Sequence, residues 1–247
     1  MIDPTVPGLA LLGTTVLVGA GTQRVTGLGF SLVSAPFLVL LLGPFTGILL
    51  ANALSLGTNL VVLAQTWRAV EVRKALLLAG PALVAVVPGA WVAHTLPAPL
   101  LALTAGGLVL VALLAVLASE RARVLRGTGG AITAGAASGF MNVTAAVGGP
   151  AISLYALSTG WAHGSYVATV QLYSVLLNTG SIAAKGWPDL APAVWLVSGC
   201  ALVIGVLVGH LLARVVTPGR ARTMVAALAI VGSAATVVKA VVELSSA

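Results

Sequence analysis

Two similar stretches of this chain place glycine, serine, threonine and proline inside runs that are otherwise apolar enough for a lipid bilayer. The first covers residues 26–36 and reads TGLGFSLVSAP, and the second covers residues 138–150 and reads SGFMNVTAAVGGP. Their prolines, Pro36 and Pro150, lie 114 residues apart. A helix break is costly in lipid, where no water satisfies the freed backbone groups, unless protein encloses the break. Paired breaks in two halves of a chain are typical of the substrate sites of transporters.

The amino-acid composition argues against a soluble fold. Hydrophobic residues make up 59% of the 247 residues, charged residues only 7%, and the mean hydropathy is +1.12. A water-facing protein surface carries roughly 25–35% charged residues. The apolar runs are also about twice as long as the ~10-residue segments of a transmembrane barrel, and they do not alternate. The predicted fold class is therefore an all-α polytopic membrane protein.

The apolar runs divide into complete spans and longer, interrupted segments. A membrane-spanning helix needs roughly 20 apolar residues. Six runs meet that length: 44–66, 74–95, 98–118, 164–184, 193–215 and 221–243. Two others, 8–43 and 128–160, are too long for one straight span and short for two full spans with a turn. Each is predicted to form either a hairpin of two short helices or one long broken helix.

The basic residues predict which loops face the cytoplasm. Nine of the twelve lysines and arginines lie in the short segments 67–74, 119–127 and 214–222. Cytoplasmic loops of membrane proteins carry such an excess of basic residues. This pattern accounts for the net charge of +7 without a nucleic-acid partner.

The remaining charged loops are predicted to lie outside. In the loop 185–192 the positive charge of Lys185 is balanced by the negative charge of Asp189. A C-terminal tail that carries Lys239 and Glu243 is predicted on the same side. Both segments therefore lack the excess of basic residues that marks a cytoplasmic loop.

With these sides assigned, the two halves of the chain run in opposite directions. In each half three spans follow a broken segment, which is the pattern of an inverted-topology repeat. We therefore predict a first transmembrane repeat at 1–118, a basic cytoplasmic linker at 119–127 and a second repeat at 128–247. Matched residues that support the repeat are Gly89 and His94 with Gly205 and His210, and Asn59 with Asn178.

Three short glycine-rich motifs occur in order along the chain. They are the stretch 26–36, the run Gly148-Gly149-Pro150 followed by Tyr155, and the pair Gly205 and Gly209. In this order and spacing they resemble the TauE/SafE sulfite exporter family of membrane permeases, from about residue 8 to 243. The resemblance implies transport of small sulfur-containing anions such as sulfite, sulfonates or sulfoacetate. Many family members carry a basic residue near 166–169, where this chain reads Tyr-Val-Ala-Thr, so another residue must supply any cation that is needed.

Arg24 is the candidate cation. It is the only basic residue not assigned to a loop or tail, and it lies beside Gln23 where the two short helices of 8–43 would join. A guanidinium within the membrane is costly and is usually functional or paired. Its planar fork suits two oxygens of an oxyanion. The alternative is that 8–23 is a complete span, which Arg24 merely ends at the cytoplasmic surface.

The backbone at the two breaks is a second candidate element. Unpaired N–H groups and the positive dipole end of a helix N-terminus attract oxyanions. Glycines at these positions, which are Gly27, Gly29, Gly148 and Gly149, let backbone approach a ligand closely. The alternative is that these glycines only permit tight helix packing.

Polar side chains at membrane depth form two stripes, each on one face of a predicted span. The first stripe consists of Asn52, Ser55, Thr58 and Asn59. The second consists of Gln171, Ser174, Asn178 and Ser181. The stripes would either line a shared cavity or hold helices together by hydrogen bonds. Further polar candidates near the breaks are Ser31, Ser34, Asn142, Thr144, Ser153 and Tyr155.

These features favour a secondary carrier that moves a small sulfur-containing anion by alternating access around the two broken segments. An enzyme is not expected, because one cysteine, three scattered histidines and no acid in the interior of a span offer no metal site or nucleophile–base pair. No cofactor is expected, and no ATP-binding motif is present. An anion channel and a structural membrane subunit remain alternatives, and a homo-oligomer is compatible with the sequence. The composition is typical of a high-GC bacterium, which would place the chain in the bacterial inner membrane.

Overall fold

The computed structural model of the chain describes residues 6–26, 30–118, 125–213, 215–216 and 218–246. Within these residues the secondary structure is helical, with ten α-helices and a short 3-10 turn at Trp67–Ala69. In chain order the helices are α1 (Val6–Thr26), α2 (Phe30–Leu42), α3 (Pro44–Thr66), α4 (Val72–Thr95), α5 (Ala98–Ala118), α6 (Gly127–Ala145), α7 (Gly149–Thr159), α8 (His163–Lys185), α9 (Pro192–Leu212) and α10 (Pro218–Ser245).

The predicted fold class is confirmed. Seven of the described helices are long and apolar enough to cross a membrane, namely α1, α3, α4, α5, α8, α9 and α10. The last six correspond to the six spans expected from hydropathy, with ends that differ by a few residues. Large apolar side chains such as Val84, Trp91 and Leu207 are more than half exposed, as expected for a surface that faces lipid tails.

The two interrupted runs each form a helical hairpin rather than one long broken helix. The second helices, α2 and α7, have 13 and 11 residues and are too short to span. Ser34 Oγ donates a hydrogen bond of 3.2 Å to the Thr15 carbonyl, which holds α2 against α1. Ser138 Oγ donates one of 2.7 Å to the Gly148 carbonyl, which holds the start of α7 against α6.

Glycines allow the closest helix contacts. Helix α6 packs on α4, where a Cβ at Gly139 would overlap the carbonyl group of Ala82. Helix α1 packs on α9, where a Cβ at Gly205 would lie 2.5 Å from the carbonyl oxygen of Leu17. Small residues drive such contacts in membranes, where packing and hydrogen bonds replace the hydrophobic effect. Helices α3 and α8 pack on each other, and α5 packs on α10, so the contacts join the two halves of the chain.

Two expectations about charged residues are wrong. Lys185 was expected in a loop, but it is the last residue of α8 and is only 6% exposed. Its Nζ donates to the carbonyl of Val143, near the end of α6. Lys239 and Glu243 belong to α10 rather than to a tail, and their ion pair of 3.9 Å spans one helical turn.

Candidate functional site

The end of α6 meets α3 and α8 through a buried cluster of amides and hydroxyls. Asn142 Nδ2 donates to Asn178 Oδ1 at 3.1 Å and to Ser181 Oγ at 3.0 Å. Asn52 Nδ2 donates to the Asn142 carbonyl at 3.4 Å. All four residues are at most 5% exposed. One residue of the first polar stripe, Asn52, and two of the second, Asn178 and Ser181, are therefore brought to the tip of the second hairpin.

The way α6 ends explains why polar side chains gather there. Ala146 has φ 59° and ψ 16°, the left-handed conformation that stops a helix, and its N–H bonds to the Asn142 carbonyl at 2.8 Å. The last carbonyls of a helix have no partner within that helix. In lipid such groups must find partners in the protein. Here the Asn142 carbonyl also accepts from Asn52, and the Val143 carbonyl accepts from Lys185 at 2.9 Å.

Lys185 is the functional candidate that hydropathy and loop charge missed. Its Nζ lies 5.7 Å from the centre of the Phe45 ring, and no described carboxylate lies within salt-bridge distance of it. It follows Asn178 and Ser181 by seven and four residues, so all three share one face of α8. Extending the second polar stripe by one turn would have reached this lysine from the sequence.

The turn of the second hairpin is fixed by a second set of hydrogen bonds. Tyr173 of α8 donates to Ser138 Oγ at 2.7 Å, and Ser138 donates to the Gly148 carbonyl. A Cβ at Gly148 would lie 2.6 Å from Ser138 Oγ, so this glycine is needed for close packing. Gly149 begins α7, and its carbonyl accepts from Ser153 Oγ at 3.0 Å.

The first hairpin is described only in part. Ser31 Oγ lies 3.0 Å from Ser55 Oγ on α3, which joins the start of α2 to the first polar stripe. Arg24 belongs to the last turn of α1, but its side chain lies outside the described residues. Gly27 and Gly29 lie outside them altogether.

Three amide side chains have a buried oxygen without a described hydrogen-bond partner. They are Gln23, Asn52 and Gln171. Amide oxygen and nitrogen exchange places when the group rotates, so Gln23 and Gln171 could each present N–H donors to an anion. Asn59 is also buried, at 6% exposure. These polar groups face protein rather than lipid, as both interpretations of the stripes require.

Tyr155 lies apart from the hairpin tip, in a cluster that the sequence analysis did not anticipate. Its ring stands edge-on to Trp161 at 6.4 Å. Trp161 Nε1 donates to Glu71 Oε1 at 2.7 Å, and Lys74 pairs with the same carboxylate at 2.7 Å. Hydrogen bonds from Lys74, Ser165 and Trp161 lower the pKa of the Glu71 carboxyl from 4.5 to about 2. Glu71 therefore stays ionised and joins the predicted cytoplasmic turn before α4 to the turn between α7 and α8.

On the opposite side of the molecule, a cavity of about 390 Å³ opens among the ends of α2, α3, α4 and α5. Phe45 and His94 line it, with their rings 5.0 Å apart. Phe45 also contacts Lys185, so the cavity and the buried ammonium share this ring. Because the Glu71 cluster lies at the predicted cytoplasmic ends, this cavity lies at the predicted outer ends.

The family model described as Sulfite exporter TauE/SafE matches residues 11–236 of the 247-residue chain. The chain belongs to the TauE/SafE sulfite exporter family. No curated protein and no solved structure matches it. The family match and the seven apolar helices together identify a multi-pass membrane permease.

In this TauE/SafE permease the described polar groups form hydrogen-bond networks rather than a metal site. No group of three or more histidine, cysteine, aspartate or glutamate side chains comes together among the described residues. The groups at the hairpin tip are amide and hydroxyl donors and one ammonium. Such donors bind oxyanions, since charge-assisted hydrogen bonds to anionic oxygens are the strong ones.

Proposed function

We propose that this permease is a secondary carrier for small sulfur oxyanions, with sulfite as the first candidate and sulfonates or sulfoacetate as the others. Family membership supports the substrate class. The observation that carries the proposal is the tip of the second hairpin, where Ser181 and Lys185 offer a hydroxyl and an ammonium that are buried in the protein near the end of the span α8. An ionisable residue in that setting usually marks a substrate or ion pathway.

Alternating access is the proposed mechanism, with the two hairpins as its moving parts. The packing of α1 on α9 has a counterpart in the packing of α6 on α4, as an inverted repeat of five helices predicts. Helices α3 and α8 would then be equivalent, and they pack on each other with their polar stripes buried. Hydrogen bonds from a hairpin tip to both helices can exchange partners when one half rocks against the other.

The proposed binding residues lie at the two hairpin tips, on the two stripes and, in the case of Ser34 and Tyr155, along the second helices of the hairpins. They comprise Gln23, Arg24, Gly27, Gly29, Ser31, Ser34, Asn52, Asn59, Asn142, Gly148, Gly149, Tyr155, Gln171 and Asn178. Arg24 would supply a bidentate contact at the first tip. We also assign the protein to the bacterial inner membrane as part of this proposal, with homo-oligomers compatible with it.

Thermal stability of the detergent-solubilised protein tests the substrate class. The ligands are sulfite, sulfate, thiosulfate, sulfoacetate, taurine and an aromatic sulfonate, with acetate and succinate as controls. A ligand that binds only the folded state raises the melting temperature with its concentration. We expect a sulfur oxyanion to raise it, and we expect Arg24→Ala to weaken that rise because the bidentate contact is lost.

The control for that variant is Arg220→Ala, which removes one positive charge from an exposed position near the start of α10. It should keep the full ligand-induced rise. If no sulfur anion stabilises the wild-type protein, the proposed substrate class is wrong. If Arg24→Ala and Arg220→Ala respond as the wild type does, Arg24 only anchors α1 at the surface.

A further inference from the structure

Lys185 has bonding capacity that the described protein does not use. An ammonium group has three donors. One of them is used by the Val143 carbonyl, and the Phe45 ring at 5.7 Å adds a weaker cation–π contact. The ion pairs among the described residues are Lys74 with Glu71 and Lys239 with Glu243, so they leave Lys185 without a carboxylate.

A purely structural role does not account for the burial of the Lys185 side chain. Lysines do bond the last carbonyls of helices, as Lys185 does at the end of α6. Lys239 bonds the end of α2 in the same way, since its Nζ donates to the Leu40 carbonyl at 3.4 Å. However, the side chain of Lys239 is 53% exposed and is paired with Glu243. An exposed, neutralised lysine therefore suffices to bond a helix end in this fold, whereas Lys185 is buried without a counter-ion at a cost in free energy.

A second donor for an oxyanion lies one helical turn from Lys185 on α8. Ser181 lies one turn earlier on the same face of α8, and its Oγ accepts from Asn142 Nδ2 at 3.0 Å, so its own O–H remains to donate. Both amide protons of Asn142 are already used by Asn178 and Ser181, so the open donors here are the Lys185 ammonium and the Ser181 hydroxyl. Oxyanions with two or three equivalent oxygens accept several such bonds at once.

We infer that Lys185 binds the negative charge of the transported oxyanion at the outer end of its path, an assignment that rests on the proposed function. The anion would take the two ammonium donors that Val143 leaves open. Its route to the outer side is the cavity of about 390 Å³, whose Phe45 wall is shared with Lys185. Phe45 then separates the bound anion from the cavity until the ring moves.

Sulfite binding by Lys185→Gln tests the inference. Glutamine keeps an N–H donor for the Val143 carbonyl and removes the charge. We expect the dissociation constant for sulfite, from titration calorimetry in detergent, to rise at least about tenfold, since a charged hydrogen bond is lost. The matched control is Lys239→Gln, which removes the same charge from an exposed lysine that also bonds a helix end. It should bind sulfite as the wild type does.

A measurement on the wild-type protein keeps the inference testable if Lys185→Gln does not fold. The chain has three lysines, Lys74, Lys185 and Lys239. Lysine labelled with ¹⁵N at Nζ therefore gives three signals, and Lys185→Arg identifies the one that belongs to Lys185. We expect sulfite to shift that signal and to leave the other two in place.

The outcomes separate this inference from the proposed function. If the wild type binds sulfite and Lys185→Gln binds it equally well, or the Lys185 signal does not move, Lys185 only bonds the end of α6. In that case the proposed function is retained, and the binding role assigned to Lys185 is wrong. If the wild type binds no sulfur anion at all, both are overturned. A loss of binding that is confined to Lys185→Gln supports both.

Discussion

Gly139→Ala is expected to lower the melting temperature of the purified permease by roughly 6–12 °C. The new Cβ would overlap the carbonyl group of Ala82, which belongs to the backbone of α4 and cannot rotate away as a side chain can. Overpacking a tight contact lowers the free energy of unfolding by about 1–3 kcal/mol. We expect a value at the upper end of that range, because the clash is with backbone atoms. For a chain of this size, each kcal/mol corresponds to about 2–4 °C. Thermal unfolding in detergent, followed by tryptophan fluorescence, measures the shift.

Gly129→Ala is the matched control for this prediction. Gly129 lies on the same helix, α6, but it is exposed, and a Cβ added there would meet no described atom within 4 Å. Alanine is about 0.5–1 kcal/mol more favourable than glycine within a helix, so the control should melt at or above the wild-type temperature. Equal melting temperatures for the two variants would mean that α6 and α4 do not pack at Gly139.

Asn142→Ala is expected to slow sulfite exchange in proteoliposomes at least about tenfold. A tenfold change corresponds to ~1.4 kcal/mol in the free energy of sulfite binding or in the free-energy barrier to exchange. The variant loses the hydrogen bonds to Asn178 and Ser181, through which the hairpin tip contacts α8. Hydrogen bonds between membrane helices average about 0.6 kcal/mol each, so stability should fall by only about 1 kcal/mol. Exchange of ³⁵S-labelled sulfite and thermal unfolding measure the two effects on the same preparation.

Thr133→Ala serves as the control for Asn142→Ala. Thr133 is an exposed residue of α6, and its hydroxyl donates to the Gly129 carbonyl within the same helix. Its loss should leave sulfite exchange unchanged. A variant at Asn142 that exchanges sulfite as fast as the wild type, at normal stability, would show that the amide cluster only holds helices together.

Hydropathy alone predicted most of the fold, because the physics of a bilayer leaves few alternatives. Long apolar runs must form helices, since lipid satisfies no backbone group. The lengths of the runs 8–43 and 128–160 then required a second helix in each. The choice between a hairpin and a broken helix depended on contacts such as Ser34 with Thr15, which no local pattern contains.

The candidate site was predicted in part. Helical spacing correctly placed Asn52 and Asn178 on buried faces, and the structure joins both to Asn142. Lys185 was missed because a lysine after an apolar run normally ends the span at the membrane surface. Only the three-dimensional structure shows that the end of α6 lies beside it and offers the Val143 carbonyl.

Exchange of ³⁵S-labelled sulfite across liposomes that contain the wild-type protein tests the central claim most directly. We expect exchange faster than in protein-free liposomes, with a rate that saturates as the sulfite concentration rises. Excess unlabelled sulfite should compete, and acetate should not. A rate equal to that of protein-free liposomes would contradict transport of sulfite, and a protein-dependent rate that grows linearly without saturation would indicate a channel instead of a carrier.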